Sequence, residues 1–593
     1  MARPPVDPLK NAREQEAIPV FETPWKWRLV LLSRTVRWCG VPLLVGRRLL
    51  TIGPPSAVLF LALLVAAVVL RAYWMVHHST VLDEDATEYA RIAENLLHRG
   101  AYVGLFEGPE LMFPPFFPVL LALGSLVTGS AESAARLVPF LAGVLLVPTV
   151  FAVARFMYGL RVALGAAALT ALHPVLIDLS STAYAEGIYL VLILVGLYWA
   201  LRALDSGSRA HTVCCGTIFG LAFLIRAEAL LYPVVVLFVS LTADLKESAL
   251  ASRIGVRALC LVTPIVVLVA PYAAYESSHA GSLRFEGNSL MNYKIGERRN
   301  VGMTPTEAAL GIGPNLTEDG PQLSPNHFIA AAHQWPSIRD LASYWVQSVR
   351  RNQAMLWQHL LAPQFDSILA IGLIILGLFR RPWPPRRALQ EGMLIGVALG
   401  HLVLLLGAHA VLLRYIFPLV VISWLWASKG IDEAARWGAE TAQRALHARR
   451  TLSQCVGTGI RCLLIVALLL QALWGMRWGP LEDQGPKTLV LKEVGLWLEH
   501  HRPGPKRVMT LRPLIAYYSG GTLLLMPYAD ASLALRYIHL KRPDFIVLLE
   551  SDGSIADYLK QWLERGIPDA AATLVYRDSD ALHGAVAIYE WRS

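Results

Sequence analysis

The stretch Leu82-Asp83-Glu84-Asp85-Ala86-Thr87-Glu88-Tyr89-Ala90-Arg91-Ile92-Ala93-Glu94-Asn95-Leu96-Leu97 follows closely on the first long apolar segment. Three consecutive carboxylates are costly to bring near hydrocarbon. They are also natural candidates for a general base. Tyr89, Ile92, Ala93, Leu96 and Leu97 repeat at helical spacing, which predicts an amphipathic helix lying along the membrane face. Asp85 stands at the N-terminus of that helix, and Asp85-Ala86-Thr87-Glu88 fits a capping box. A helix N-terminus also favours an ionised carboxylate, which suits a base.

The remainder of the chain makes this acidic run unusual. Of 593 residues, 55% are hydrophobic and only 16% charged, against about a quarter charged in soluble domains. Repeated apolar runs of about 20 residues indicate a polytopic α-helical membrane protein. The formal net charge of +9 does not require nucleic acid, because Lys and Arg cluster between apolar runs, as in cytoplasmic loops. No cleavable signal peptide is expected, since the first apolar run starts near Pro55 after a basic stretch. The six cysteines lie in or beside apolar segments, so no structural disulfide is expected.

Spans are expected at 55–76, 134–156, 160–179, 183–203, 211–228, 229–245, 257–275, 363–379, 390–408, 411–428 and 456–476. The basic loops all fall on the cytoplasmic side if the short, proline-broken segment 113–129 is re-entrant or interfacial. That gives about eleven crossings. Residues 1–54 form a cytoplasmic basic amphipathic segment, 55–476 the transmembrane domain, and 77–133, 276–362 and 477–593 lie outside. Beyond Arg477 the apolar runs shorten to strand length: Arg507–Leu511, Leu523–Met526 and Phe545–Leu549, with helical patterns at 531–541 and 554–565. This alternation predicts a small C-terminal α/β extramembrane domain.

The order of these features resembles the GT-C glycosyltransferases. It is most similar to the family 39 and aminoarabinose-transferase-like branch that includes the protein O-mannosyltransferases. The resemblance rests on Asp85-x-x-x-Tyr89-Ala90-x-Ile92-Ala93-x-Asn95-Leu96, then Gly100 and Pro114-Pro115. Ala134-Ala135-Arg136-Leu137, His173-Pro174 with Ser180 and Tyr184-Ala185-Glu186, Gly220-Leu221-Ala222 leading to Arg226-Ala227-Glu228, and Arg414-Tyr415 with Pro418 continue it to about residue 430. The chain departs at Ala86, where the family has Glu, and at Phe113, where some members carry Lys.

The resemblance implies inverting transfer of a sugar from a polyprenyl-phosphate-linked donor to a lipid, glycan or protein acceptor. Asp85 would be the general base, with Glu84 and Asp83 as the next carboxylates. Arg136, Arg226 and Arg414 would hold the donor phosphate, and Tyr89, Tyr184, Glu186, Glu228 and Tyr415 would complete the binding set. No cofactor is required by the branch resembled, although Asp83-x-Asp85 is a pattern that binds a divalent metal in some glycosyltransferases. The expected location is a bacterial inner or plasma membrane, multi-pass, with the site on the outer face and membrane lipids rather than nucleic acid as partners. Loop 276–362, with Tyr293, Lys294 and Trp335, would close over the site. The competing function is a transporter or flippase of a lipid-linked substrate. An acidic cluster in a loop rather than at mid-span, and the lack of a visible internal repeat, favour the enzyme.

Overall fold

The computed structural model describes residues 53–78, 82, 84–181, 183–244, 250–316, 320–332, 336–362, 365, 368–379, 383, 385–445, 450–476, 487–580 and 584–592. The expected basic segment 1–54 thus falls almost wholly outside the described residues, as do Asp83 and Trp335. The chain divides into two units, Met1–Ala57 and Val58–Ser593.

The bundle opens with α1 (Pro54–His78), α2 (Glu84–Arg99) and α3 (Phe116–Thr128). It continues with α4 (Ala131–Tyr158), α5 (Leu160–Leu172), α6 (Pro174–Leu179), α7 (Glu186–Ser206), α8 (Arg209–Phe223), α9 (Leu231–Asp244) and α10 (Leu250–Ala280). A loop region carries α11 (Asn288–Asn300), α12 (Pro305–Leu310), α13 (Pro325–Ala331) and α14 (Ile338–Leu360). The bundle closes with α15 (Ile368–Phe379), α16 (Pro385–Gly407), α17 (Phe417–Ala445) and α18 (Arg450–Met476). Among the described residues, six helices are long and apolar enough to cross a membrane: those of α1, α4, α7, α10, α16 and α18. The protein is an integral, multi-pass membrane protein.

Two boundaries differ from the sequence expectation, and both differences bear on function. The span expected at 211–228 ends at Phe223, because Arg226 takes an extended backbone (φ −149°, ψ 127°) before the 3₁₀ turn Ala227–Leu230. The Phe116 amide, at the start of α3, donates to the Leu224 carbonyl of this break at 2.9 Å. The span expected at 411–428 begins instead with a 3₁₀ turn, Leu413–Ile416, and α17 then runs without interruption to Ala445. Its polar extension is held on α18 by Arg461, whose Nε donates to Asp432 Oδ1 at 2.8 Å. In both places an arginine lies where a helix gives way to a tight turn, so its side chain emerges from a helix end.

The first-loop helix also differs from a simple capped amphipath. α2 starts at Glu84, so Asp85 lies inside its first turn and is not the cap. Glu88 does not reach back to close a capping box. It is 3% exposed and both its carboxylate oxygens accept from the Leu105 amide, at 2.9 and 3.0 Å. The polar face of α2 is covered by protein: Arg91 donates to the Tyr517 carbonyl at 2.7 Å, and the Tyr517 hydroxyl donates to Glu94 at 2.7 Å.

That covering comes from the C-terminal region, which has the expected α/β character. α19 (Lys487–His501), β1 (Arg507–Met509), α20 (Pro513–Tyr518), β2 (Thr522–Leu524), α21 (Ala531–Lys541), β3 (Phe545–Leu549), α22 (Asp557–Arg565), β4 (Ala572–Asp580) and β5 (Gly584–Trp591) follow in order. The sheet order is β2-β1-β3-β5-β4, parallel across the first three strands and antiparallel for the last two. The β4–β5 hairpin and α19 were not expected. Val575 and Tyr576 lie among charged residues, whereas β3 is a continuous buried apolar run. Val494, Leu498, Val508, Phe545, Val547 and Ile588 form the core of this region.

Candidate active site

The helix breaks described above deliver charged side chains to one place. Arg414 Nη2 donates to Asp85 Oδ2 at 2.6 Å, joining residues 329 positions apart. Arg414 Nε lies 3.6 Å from Glu186 Oε1. The same Glu186 oxygen accepts from Arg226 Nη1 at 2.9 Å, and Arg226 Nη2 donates to Glu228 Oε1 at 3.1 Å. Carboxylates and guanidiniums therefore alternate along a chain: Asp85, Arg414, Glu186, Arg226, Glu228. Each arginine also lies over aromatic faces, Arg414 at 4.7 Å from the Tyr184 ring centre and Arg226 at 4.6 Å from that of Tyr415. Stacking of this kind fixes the planar fork and leaves its edges for oxyanions.

Tyr89 supports the chain from behind. Its ring is held edge-on by Phe113 and Phe117, with ring centres 4.8 and 4.9 Å away. Burial, followed by the charge of Asp85, pushes its phenol well above the usual range, so it stays protonated. Phe113, at the position where some relatives carry Lys, is a packing residue here.

Two expected site residues, Glu84 at the second cavity and Arg136, make other pairs than those of the alternating chain. Glu84 is half-exposed and pairs with Arg512 of the C-terminal region at 3.3 Å. Arg136 donates to Glu132 at 2.8 Å. Glu132 in turn accepts from Lys492 at 2.9 Å and from Tyr518 at 3.1 Å. Arg136 therefore helps dock the C-terminal region and does not join the alternating chain. Asp83 is outside the described residues. Among the described residues no group of three or more His, Cys, Asp or Glu could hold a metal ion.

Two cavities meet at this chain. The first, about 400 Å³, is lined by Glu186, Arg226, Glu228, Arg414 and Tyr415 on one side and by apolar residues such as Leu404 and Phe417 on the other. The second, about 450 Å³, is lined by Asp85 and Phe113 of the first loop, Ile295 and Arg299 of α11, and Leu511, Arg512 and Leu525 of the C-terminal region. His409 lines both. Burial, then Arg299 and Arg351, push His409 down to about 4, so its ring is neutral near neutral pH. Tyr293 of loop 276–362 lines the first cavity, whereas Lys294 faces outward in a pair with Glu297.

A second acidic pair stabilises the floor of the second cavity. Glu88, one turn on from Asp85, is hydrogen-bonded to Glu110, and both are buried. Burial, reinforced for Glu88 by the neighbouring carboxylate, raises both above the usual range, which is the condition of two acids sharing one proton. Glu110 Oε1 also accepts from the Met112 and Phe113 amides at 2.8 and 2.9 Å. The pair thus ties the loop carrying Phe113 to the helix carrying Asp85. Gly104 makes room for it: a Cβ there would lie 1.6 Å from Glu88 Oε1 and 2.9 Å from Glu110 Oε2.

Arg299, Arg351, Arg512 and Tyr189 also stand at or behind the cavities without having been singled out. Arg226 lies 6.0 Å from the Tyr189 ring centre. Arg298-Arg299 and Arg350-Arg351 are basic pairs in polar segments, where nothing in the sequence separates a cavity-facing arginine from a solvated one.

Residues 113–275 match the model of the dolichyl-phosphate-mannose-protein mannosyltransferase family. Several solved structures share the architecture. The apo oligosaccharyltransferase of Archaeoglobus fulgidus superposes with a TM-score of 0.57 at 13% identity, over 89% of this chain and 74% of that one. AglB from the same organism, in complex with an inhibitory peptide and a dolichol-phosphate, gives 0.55 at 13% identity over 89% and 74%. ArnT from Cupriavidus metallidurans, bound to undecaprenyl phosphate, gives 0.52 at 15% identity over 91% and 98%. No curated protein matches the chain's sequence. At these identities the likeness establishes the fold.

Proposed function

We propose that this chain, which has the fold of the GT-C membrane glycosyltransferases, transfers a sugar from a polyprenyl-phosphate donor to an acceptor hydroxyl or amine on the outer face of the membrane. The observation that carries the reading is the Asp85–Arg414 pair at the junction of two cavities. Relatives in fold have been captured with dolichol-phosphate and with undecaprenyl phosphate, which suits the first cavity. That cavity combines an apolar wall for an isoprenoid with two stacked arginines for its phosphate. The second cavity, which carries Asp85 with Arg299 and Arg512, takes the acceptor.

The reaction is a single displacement with inversion. The acceptor oxygen or nitrogen attacks the anomeric carbon while Asp85 takes its proton. The bond from that carbon to the lipid phosphate breaks, and the phosphate leaves with the electron pair. Arg414 and Arg226 stabilise the growing negative charge, so the step is written without a metal. In the free enzyme Arg414 is occupied by Asp85. A donor phosphate competing for the fork releases Asp85, so that the base is freed when the leaving group is in place.

The test is transfer of labelled sugar from a polyprenyl-phosphate donor by purified wild-type protein and Asp85→Asn. Loss of the base should lower transfer about 10²–10⁴-fold. Full activity in Asp85→Asn sinks the assignment and passes the role to Glu84 or Asp83.

A further inference from the structure

The alternating chain sets three carboxylates against two guanidiniums, so both of its arginines are paired, and Arg512 is paired with Asp552 at 2.7 Å and with Glu84. Two further arginines stand at and behind the second cavity outside these pairs. Arg299 lines that cavity, and its Nη1 donates to the His409 carbonyl at 2.5 Å. Arg351, close behind, donates to the carbonyls of Gly296 and Ala408, both at 3.0 Å, and to the Asn300 side chain. Among the described residues neither arginine has a carboxylate within ion-pair distance.

Arg299 lies in the last turn of α11, where a cation complements the helix dipole. That accounts for one arginine and not for a second guanidinium packed behind it. Each depresses the ionisation of the neighbouring His409, and Arg299 is itself pushed below its ordinary value by burial and then by Arg351. Like charges held together with only neutral acceptors are unfavourable unless an anion completes the set. The remaining edge of the Arg299 fork and the N–H of a neutral His409 are the donors available to it.

We propose that Arg299, with Arg351 behind it and His409 beside it, is an anion subsite of the second cavity that receives a phosphate group carried by the acceptor. The proposal rests on the two-cavity reading above and narrows it: the acceptor class becomes phosphorylated glycans or phospholipid-type molecules. The donor phosphate belongs to the other side of His409, at Arg414 and Arg226. His409 is then the wall between two phosphate sites, and its low ionisation keeps it neutral between them.

The test uses full-length protein in detergent, first saturated with undecaprenyl phosphate, and then titrated with inorganic phosphate by calorimetry. Wild-type protein should bind phosphate with the lipid in place. Arg299→Gln should weaken that binding about tenfold or more and leave lipid affinity unchanged, while Arg299→Lys should retain most of it. Should Arg299→Gln fold poorly, His409→Ala gives a second readout, with an expected loss of about threefold. Phosphate binding that is absent from wild-type protein, or unaltered by Arg299→Gln, overturns the subsite. So does a lipid that displaces the phosphate while Arg299→Gln weakens the lipid, since the anion would then be the donor's. Unchanged lipid affinity in Arg414→Gln strikes the donor assignment alone and leaves the Arg299 result standing.

Discussion

The two cavities differ in how they are built. The first is made at helix ends of the bundle, where breaks after Phe223 and before Phe417 turn Arg226 and Arg414 toward each other across Glu186. Its remaining wall combines apolar residues such as Leu404 and Phe417 with Asn288, Asn292 and Tyr293 of α11 and Tyr344 of α14. The second is assembled from four segments far apart in sequence: the first loop, α11–α13, the turn at His409-Ala410 and the C-terminal region. The first is formed by the bundle and the loop region on it, whereas the second also needs the C-terminal region. On the proposed assignment, donor chemistry and acceptor choice are separately alterable, and the predicted effects follow from that.

The sharpest division is at Arg414. Arg414→Ala should lower kcat about 10²–10³-fold, as loss of a charge-stabilising donor does, and leave the acceptor KM near its wild-type value. An equal rise in acceptor KM would merge the two cavities into one site. Gly104→Ala acts on the second cavity alone. Its methyl must displace the Glu88 carboxylate, at a cost of about 1–3 kcal/mol in stability, measured as a fall in Tm with lipid binding preserved.

Arg512→Ala removes a tail side chain from the second cavity and leaves the buried Asp552 without its partner. The expected result is a rise in acceptor KM of about threefold to tenfold at constant donor affinity. An unchanged acceptor KM would make the C-terminal wall accessory.

The buried acid pair predicts a pH dependence. Glu88 is raised in the folded protein, so its contribution to stability is present at low pH and is lost as pH rises through its folded value. Tm should therefore decline as pH rises above the ordinary carboxylate range. Glu88→Gln, which mimics the protonated acid, should flatten that decline, whereas a slope unaltered by the substitution would place the titration elsewhere. The groups facing the pair are Arg91, Tyr102, Asn326, Tyr275 and the Glu276 carboxylate. The smallest effect is expected at Glu84. Its pair with Arg512 is more than half exposed on the acid side, so Glu84→Gln should shift stability by less than about 1 kcal/mol.

The first cavity was largely legible in the sequence. Glu186, Arg226, Glu228 and Arg414 stand out because an ionised group beside apolar runs demands a reason. Asp85 stood out for the spacing to Tyr89, although its place in the helix differs from the cap first expected. Arg136 satisfied the same criterion, and the structure pairs it with Glu132, whose other partner Lys492 lies 360 positions away. The second cavity was not legible. Arg299 and Arg512 occur in polar segments of ordinary composition, and their role is set by contacts between distant parts of the chain. Local pattern reports on burial against lipid or core, and it carries no signal for which loop arginine will face a cleft.

The central claim is that donor phosphate and acceptor lie on opposite sides of the Asp85–Arg414 pair. A structure of the protein with undecaprenyl phosphate bound tests it most directly. The account predicts the phosphate in the first cavity, within hydrogen-bond distance of Arg414 and Arg226, with the isoprenoid along Leu404 and Phe417 and the Asp85 carboxylate released toward the second cavity. A phosphate seated at Arg299, with Asp85 and Arg414 still paired, would contradict it.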